Sequence, residues 1–393
     1  MTVIYRGGYA GVLMGLDSQD KIQIAFDKML GVKESGQRLY AERNGCEPLR
    51  MAGVPGFFSL REAYIFVTGD DECRLGVDPK CGFAAVREAT TFTTDFPNLL
   101  LNSMTKKLIQ DYAEVGMKGL DQIVTEIDIA DFKTQDRVRL GFLPDLSTVV
   151  EDAGYADFAK MTDEKISYAP TKRGNLLPIT RETILNDDLA KVASFPTRVA
   201  RAARRTLKQF ITNFFINNNT YDVDSVAWFN ALHSNLGSAA LTVDELIARE
   251  TALFGQTEKD SSKPLGLTLD WIMVPGALRA TAYKINLAQN YNPAPSVFEP
   301  NPFYLRFGQN NERVIVNELL TDTNDWYYGT LPQNGAPFLE VGFVQGQREP
   351  AVMLASDDTV GAVFTNDRLI YKVRHEYGGD VIDFRGVGKN VVP

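Results

Sequence analysis

Residues 197–218 read TRVARAARRTLKQFITNFFINN, and this stretch decides how the rest of the chain is parsed. Val199, Ala203, Leu207, Phe210 and Phe214 recur at steps of four, four, three and four, the spacing of one face of an α-helix. Arg198, Arg201, Arg204, Arg205 and Lys208 fill the rest of the circumference. Ser194 and Pro196 supply a start, and the asparagines at 217–219 a stop, because asparagine tolerates the left-handed conformation at a helix end. At ~1.5 Å per residue the run predicts a rod of ~33 Å, long for a globular helix.

Working outward, the stretch just upstream has a different period. Residues 132–140 and 166–180 read as strands, with Phe132, Val138 and Leu140 on one parity of the first and Lys133, Arg137 and Arg139 on the other. Between them, residues 144–164 are rich in Asp, Glu, Gly and Ser. Two strands joined by a long polar tip predict an extended β-ribbon. A ribbon of two strands buries little of itself, so it needs another surface to lie on, and a partner subunit is the natural candidate.

Further upstream, Asp95-Phe96-Pro97 reads as a helix start, followed at helical spacing by Leu100, Met104, Leu108 and Tyr112. Helices are expected over residues 20–29 and 59–67, and the glycines at 7, 8, 11 and 15 suggest an irregular arm. Residues 1–94 are therefore expected to form an arm packed on neighbours. Downstream the pattern is mixed: helices over 243–253 and 278–287, strands over 269–274, 314–319, 326–329 and 339–344, and a proline-marked loop near 293–302. Leu369, Tyr371, Val373, His375 and Tyr377 alternate as a half-buried strand, and residues 386–393 read as a tail.

Composition narrows the function. With 393 residues, 44% apolar and 23% charged, the chain can bury a large core in two to three domains without a covalent staple. The net charge of −9 argues against a sequence-independent nucleic-acid binder, which needs a basic excess, but not against a container for nucleic acid. Cys46, Cys73 and Cys81 are too few and of odd number for a disulfide framework and lack zinc spacing. The first residues are too glycine-rich for a signal peptide, and no apolar run reaches membrane-spanning length, so a soluble cytosolic product is expected.

Catalytic signatures are missing. The sequence holds no GxGxxG, P-loop, HExxH or GxSxG motif, so no cofactor or metal is implied. His233 and His375 are the only histidines. His233 beside Ser234 could be drawn as base and nucleophile, but adjacent residues rarely face each other, and a structural histidine is the better reading. Asp187–Asp188 read as a turn or cap before the long helix. The basic stripe Arg198, Arg201, Arg205 and Lys208 has two readings: contact with enclosed nucleic acid at an inner face, or a solvated face paired with acids on neighbours. The net charge favours the second.

A set of motifs in order then carries a resemblance: residues 94–97 (TDFP), 131–133 (DFK) with 137–141 (RVRLG), 179–188 (ITRETILNDD), Phe229 with residues 233–236 (HSNL), 300–303 (PNPF), and 372–375 (KVRH) with 383–386 (DFRG). In these the chain resembles the Mu-like major head subunit family of tailed phages, which shares the Hong Kong 97 phage capsid fold. Asn230 stands where that family has a first histidine. The resemblance implies an α+β chain with an N-terminal arm and helices (1–94), the first part of a peripheral domain (95–130), an extended loop (131–181), a spine helix (182–221), an axial domain (222–365), and a closing strand with C-terminal tail (366–393).

It also implies a major capsid protein, not an enzyme, assembling with itself as hexamers and pentamers around double-stranded DNA without membrane involvement. Scaffold, cement and portal proteins would be further partners. The product would be a virion capsid built in the host bacterial cytoplasm. Arg137, Arg139, Lys160, Lys165 and Arg173 are the expected inter-subunit contacts, and Gly116, Gly119 and Gly174 the expected hinges. An encapsulin-type compartment shell is the alternative on the same fold, and a soluble hydrolase or a tail or adaptor protein the alternatives from other classes.

Overall fold

The computed structural model describes residues 19–68, 95–140, 148–149, 151, 163–186, 189–259, 263–293, 297–354 and 368–393. The chain forms two compact units, each assembled from three separate stretches: Met1–Gly116, Lys172–Thr206 and Gln347–Glu376, and Met117–Thr171, Leu207–Gly346 and Tyr377–Pro393.

The first unit is built on the helix Asp95–Glu114, as the Asp-Phe-Pro start predicted. Phe96, Leu100 and Met104 bury one of its faces against Phe26, Leu60 and Tyr64, which come from the helices Gln19–Met29 and Leu60–Thr68. Phe26, Tyr64 and Phe96 meet edge to face, with centroids 5.7 and 5.0 Å apart. Residues 19–68 thus correct the expected arm. They fill the unit's own core, because three amphipathic helices with this much apolar surface are most stable packed together. Asp27 is fully buried there, and Lys106 (2.8 Å), Ser103 (2.6 Å), Gln23 and Gln37 surround its carboxylate. A charge so removed from water is tolerable only when paired and hydrogen-bonded like this.

The expected strand 166–180 is broken. Asp163–Tyr168 pairs antiparallel with Gln135–Leu140 to make the ribbon, whereas Thr171–Thr180 pairs with the long strand Arg368–Val381. Pro170, which has no N–H to give a ladder, lies between the two. In the first unit Ala351–Leu354 also pairs antiparallel with that long strand, at residues 371–374. Gly174 lies flush against it: a Cβ there would sit 2.3 Å from the Val373 carbonyl oxygen. This glycine is fixed by strand contact, which gives it a reason other than hinging.

The second unit holds a five-stranded sheet in the order Val314–Val316, Trp271–Val274, Trp326–Gly329, Val387–Asn390, Leu236–Gly237. Both faces are covered. Trp271, Met273 and Tyr327 pack into one apolar cluster with Leu207, Ile211 and Phe215, while Ile272, Val274, Trp326 and Tyr328 pack into another with Leu246, Leu253, Phe303 and Phe307. The alternation along Trp271–Val274 is the period-two pattern of a strand buried on both sides. Residues 386–393 correct the expected tail, since Val387 is fully buried and its strand lies inside the sheet. A second ladder in this unit pairs Thr125–Ile129 parallel with Leu339–Val344, which pairs antiparallel with residues 377–381.

The long helix is Leu189–Asn217 and starts well before Pro196. That proline lies inside it rather than at its first turn. The preceding turns are held because Val192 is fully buried and Pro196 is itself buried, and that packing offsets one lost backbone bond.

Candidate functional site

The ribbon divides the expected contact residues by parity. Antiparallel pairing sets Gln135, Arg137 and Arg139 opposite Tyr168, Ile166 and Glu164, and Asp136 and Val138 opposite Ser167 and Lys165. The first set turns inward within the second unit. Ile166 and Tyr168 are buried, and Arg137 Nε reaches Glu340 Oε1 at 2.6 Å, where the Tyr168 hydroxyl also donates. Burial and the Glu340 carboxylate push the Tyr168 hydroxyl upward, so it stays a proton donor.

At the other end of the ribbon lies a buried knot of charge. Arg385 grips Glu164 with two parallel bonds of 3.0 and 3.2 Å and takes Asp383 Oδ1 at 2.9 Å, and its Nε donates to the Thr257 carbonyl at 2.7 Å. Arg139 pairs with the other oxygen of Asp383 and stands 3.8 Å from Glu258. Burial, with Arg385 beside it, pulls the Arg139 guanidinium below the usual arginine range. Two guanidiniums against buried carboxylates make a balanced cluster, and Arg385 adds the bidentate geometry that lysine cannot supply. Sequence reading missed Arg385, Glu164 and Glu340, which carry no local signal of pairing.

The outward set is different. Val138 is 56% exposed, and Lys165 Nζ pairs with Asp136 at 2.8 Å across the strands on the surface. That hydrogen bond, with one from Ser167, holds the Asp136 carboxyl below its usual range. Lys160 lies outside the described residues. Arg173 is half-buried in the first unit.

The long helix also separates its cations. Arg198, Arg201 and Arg205 are exposed. Lys208 departs from the expected stripe: it is buried and bonds Glu318 at 2.6 Å, because its position on the helix turns toward that carboxylate rather than toward solvent. Partial burial works against ionisation of Glu318, yet the hydrogen bond and charge of Lys208, together with backbone bonding and Lys118, bring it down to about 2. Of the expected hinges, Gly119 has φ +90, a left-handed conformation that favours glycine, and the division between the units falls after Gly116.

His233 does not take Ser234 as its partner. His233 is buried and stacked on Phe384, with centroids 4.0 Å apart. Its Nδ1 faces the Trp228 carbonyl oxygen at 3.0 Å and its Nε2 faces Asp224 Oδ2 at 2.7 Å. Both nitrogens are therefore engaged, and Ser234 is an exposed left-handed residue at φ 54 that ends the short turn Ala231–His233. Burial pushes His375 down to about 4, with its Nε2 at 3.0 Å from the Arg348 carbonyl oxygen. Among the described residues no group of three or more His, Cys, Asp or Glu side chains could hold a metal ion, and no helix is long and apolar enough to cross a membrane.

A family model described as phage capsid protein matches residues 163–390, more than half of the chain. The chain belongs to the phage capsid protein family. In this phage capsid protein the matched span starts at the inner ribbon strand and ends in the strand Val387–Asn390. The long helix, the two-stranded ribbon and the sheet-bearing unit make a mixed α+β chain.

Solved structures resemble it at low identity. The capsid of a native GTA particle is 13% identical, with 70% of this chain and 91% of that chain covered and a TM-score of 0.45. A chain from Mycobacterium phage Patience is 10% identical over 79% and 94%, with a TM-score of 0.45. One from Microbacterium phage Oxtober96 is 11% identical over 69% and 90%, with a TM-score of 0.44. No curated protein matches the chain.

Proposed function

We propose that this phage capsid protein is the major shell subunit, closing with copies of itself as pentamers and hexamers into an icosahedral head around double-stranded DNA. Its role is structural, and the head is built in the host bacterial cytoplasm with scaffold, portal and cement proteins as further partners. Within the family, the ordered motifs point to the Mu-like branch. The observation that carries the reading is the ribbon: buried ion pairs root one parity in its own unit, while the other parity is left exposed. An element with one face held in its own unit and the other left to solvent fits a heterologous contact, in which one patch meets a different patch on the next copy and the ring closes at five or six.

The test is electron microscopy of the purified full chain, with sedimentation velocity on the same sample. Closed shells or rings of five and six are expected. A monomer that persists at high concentration, with or without scaffold, overturns the reading. Particles that contain a protein cargo and no DNA favour an encapsulin-type compartment.

A further inference from the structure

The helix Leu189–Asn217 contains no Asp or Glu and six cations: Lys191, Arg198, Arg201, Arg204, Arg205 and Lys208. Two of them are used inside the chain. Arg204 lies over the Tyr112 ring at 3.7 Å and donates to the Tyr112 carbonyl, and Lys208 bonds Glu318. The other four, Lys191, Arg198, Arg201 and Arg205, are exposed, and among the described residues their side chains have no hydrogen bond or ion pair. At 3.6 residues per turn the four fall within an arc of about 80°, spread over ~21 Å of helix. The cationic stripe therefore differs from the sequence expectation by one exchange: Lys191 joins it and Lys208 leaves.

The rest of the chain supplies the opposite sign. The unit that carries the stripe has 25 Lys and Arg against 23 Asp and Glu, a net charge of +2, whereas the other unit has 16 against 27, a net charge of −11. A chain of uniform charge density would show no such split. From this complementarity we infer that the stripe is an inter-subunit surface, and that its occupant is the acidic second unit of another copy of this chain. The inference rests on the shell reading above and deepens it. A positive patch on one unit and negative charge on the other make a head-to-tail contact, the kind that closes rings. Paired charges of this kind fix orientation and registry and reject like-charged approaches, more than they add raw affinity. Arginine suits the task because its fork binds carboxylates in two places and stays charged. Packaged nucleic acid is the competing occupant, since phosphates attract the same fork.

The experiment uses wild-type full-length chain, the triple variant Arg198→Glu/Arg201→Glu/Arg205→Glu, and the charge-preserving pair Arg201→Lys and Arg205→Lys. Wild-type and lysine-variant chains are mixed as light and heavy nitrogen isotopes, assembled, treated with a carbodiimide that joins amines to carboxylates, and mapped by mass spectrometry. The inference expects mixed-isotope links from residues 191, 201 or 205 to carboxylates of the second unit. It also expects a triple variant that keeps its wild-type circular dichroism but yields fewer shells by at least about tenfold.

Links found only within one chain, or a triple variant that assembles normally, overturn it. So does a triple variant that builds shells but retains less DNA, which would assign the stripe to nucleic acid. Should the triple variant fail to fold, the lysine variants still decide through their links. If wild-type chain forms no shells at all, it is the shell reading that fails, and the two failures are told apart.

Discussion

Gly174 and Val373 show how little room the strand ladders leave. Because a Cβ at 174 would meet the Val373 carbonyl oxygen at 2.3 Å, Gly174→Ala forces two backbones apart, and we expect a loss of about 1–3 kcal/mol in denaturant unfolding. An unchanged midpoint would show that the strands part freely.

His375 carries the clearest pH dependence. Its folded value of about 4 lies below the ordinary 6.5, so between those pH values the unfolded chain binds a proton that the fold does not. Stability is therefore complete above pH 6.5 and falls by up to about 3 kcal/mol as pH drops toward 4. Unfolding curves across that window, compared with His375→Phe, check this: the variant's dependence should be flatter by that amount. At this scale little of the site was legible. Sequence pattern marks Arg139 as an inter-subunit contact, whereas it pairs with Asp383 of its own unit, and nothing local links Arg385 to Glu164, which stand 221 positions apart.

Among the elements, those dominated by local pattern were legible. The strands Trp326–Gly329 and Leu339–Val344 match their expected bounds because aromatic and β-branched runs announce buried strands. The long helix was found from its apolar spacing, but its first turns were hidden behind Pro196, whose tolerance depends on tertiary burial. The ribbon's inner strand was merged with its successor because residues 163–180 keep a strand-like composition through Pro170, and only pairing shows where one partner is exchanged for another.

The rooted ribbon predicts a local response. Glu164→Gln leaves Arg385 buried and half-paired, which costs on the order of 3–5 kcal/mol. Backbone amides of Gln135–Leu140 and Asp163–Tyr168 should then exchange faster, while Trp326–Gly329 keeps its protection. Uniform acceleration of both regions would mean that the pair stabilises the whole unit rather than the ribbon.

Over the whole molecule, the two units are interleaved in sequence, each drawing on three stretches. A reader of the chain from one end meets neither unit complete, which is why an arm could be expected where helices fill a core. The strand Val387–Asn390 makes the same point from the other end: Gly386–Val387–Gly388 looks like a tail, yet Val387 is fully buried between Trp326–Gly329 and Leu236–Gly237. A chain stopped after Arg385 should lose the cooperative unfolding of its second unit and be cut there by trace protease, while helices of the first unit persist. Protease resistance equal to the intact chain would show that the sheet closes without this strand.

That strand also sets an order in time. Translation delivers residues 387–390 after every other strand of their sheet, so the ladder stays open until they emerge from the ribosome. A prematurely terminated product carries two unsatisfied strand edges as the mark of its defect. Open edges of that kind template pairing with other chains, so a truncated copy is prone to aggregate.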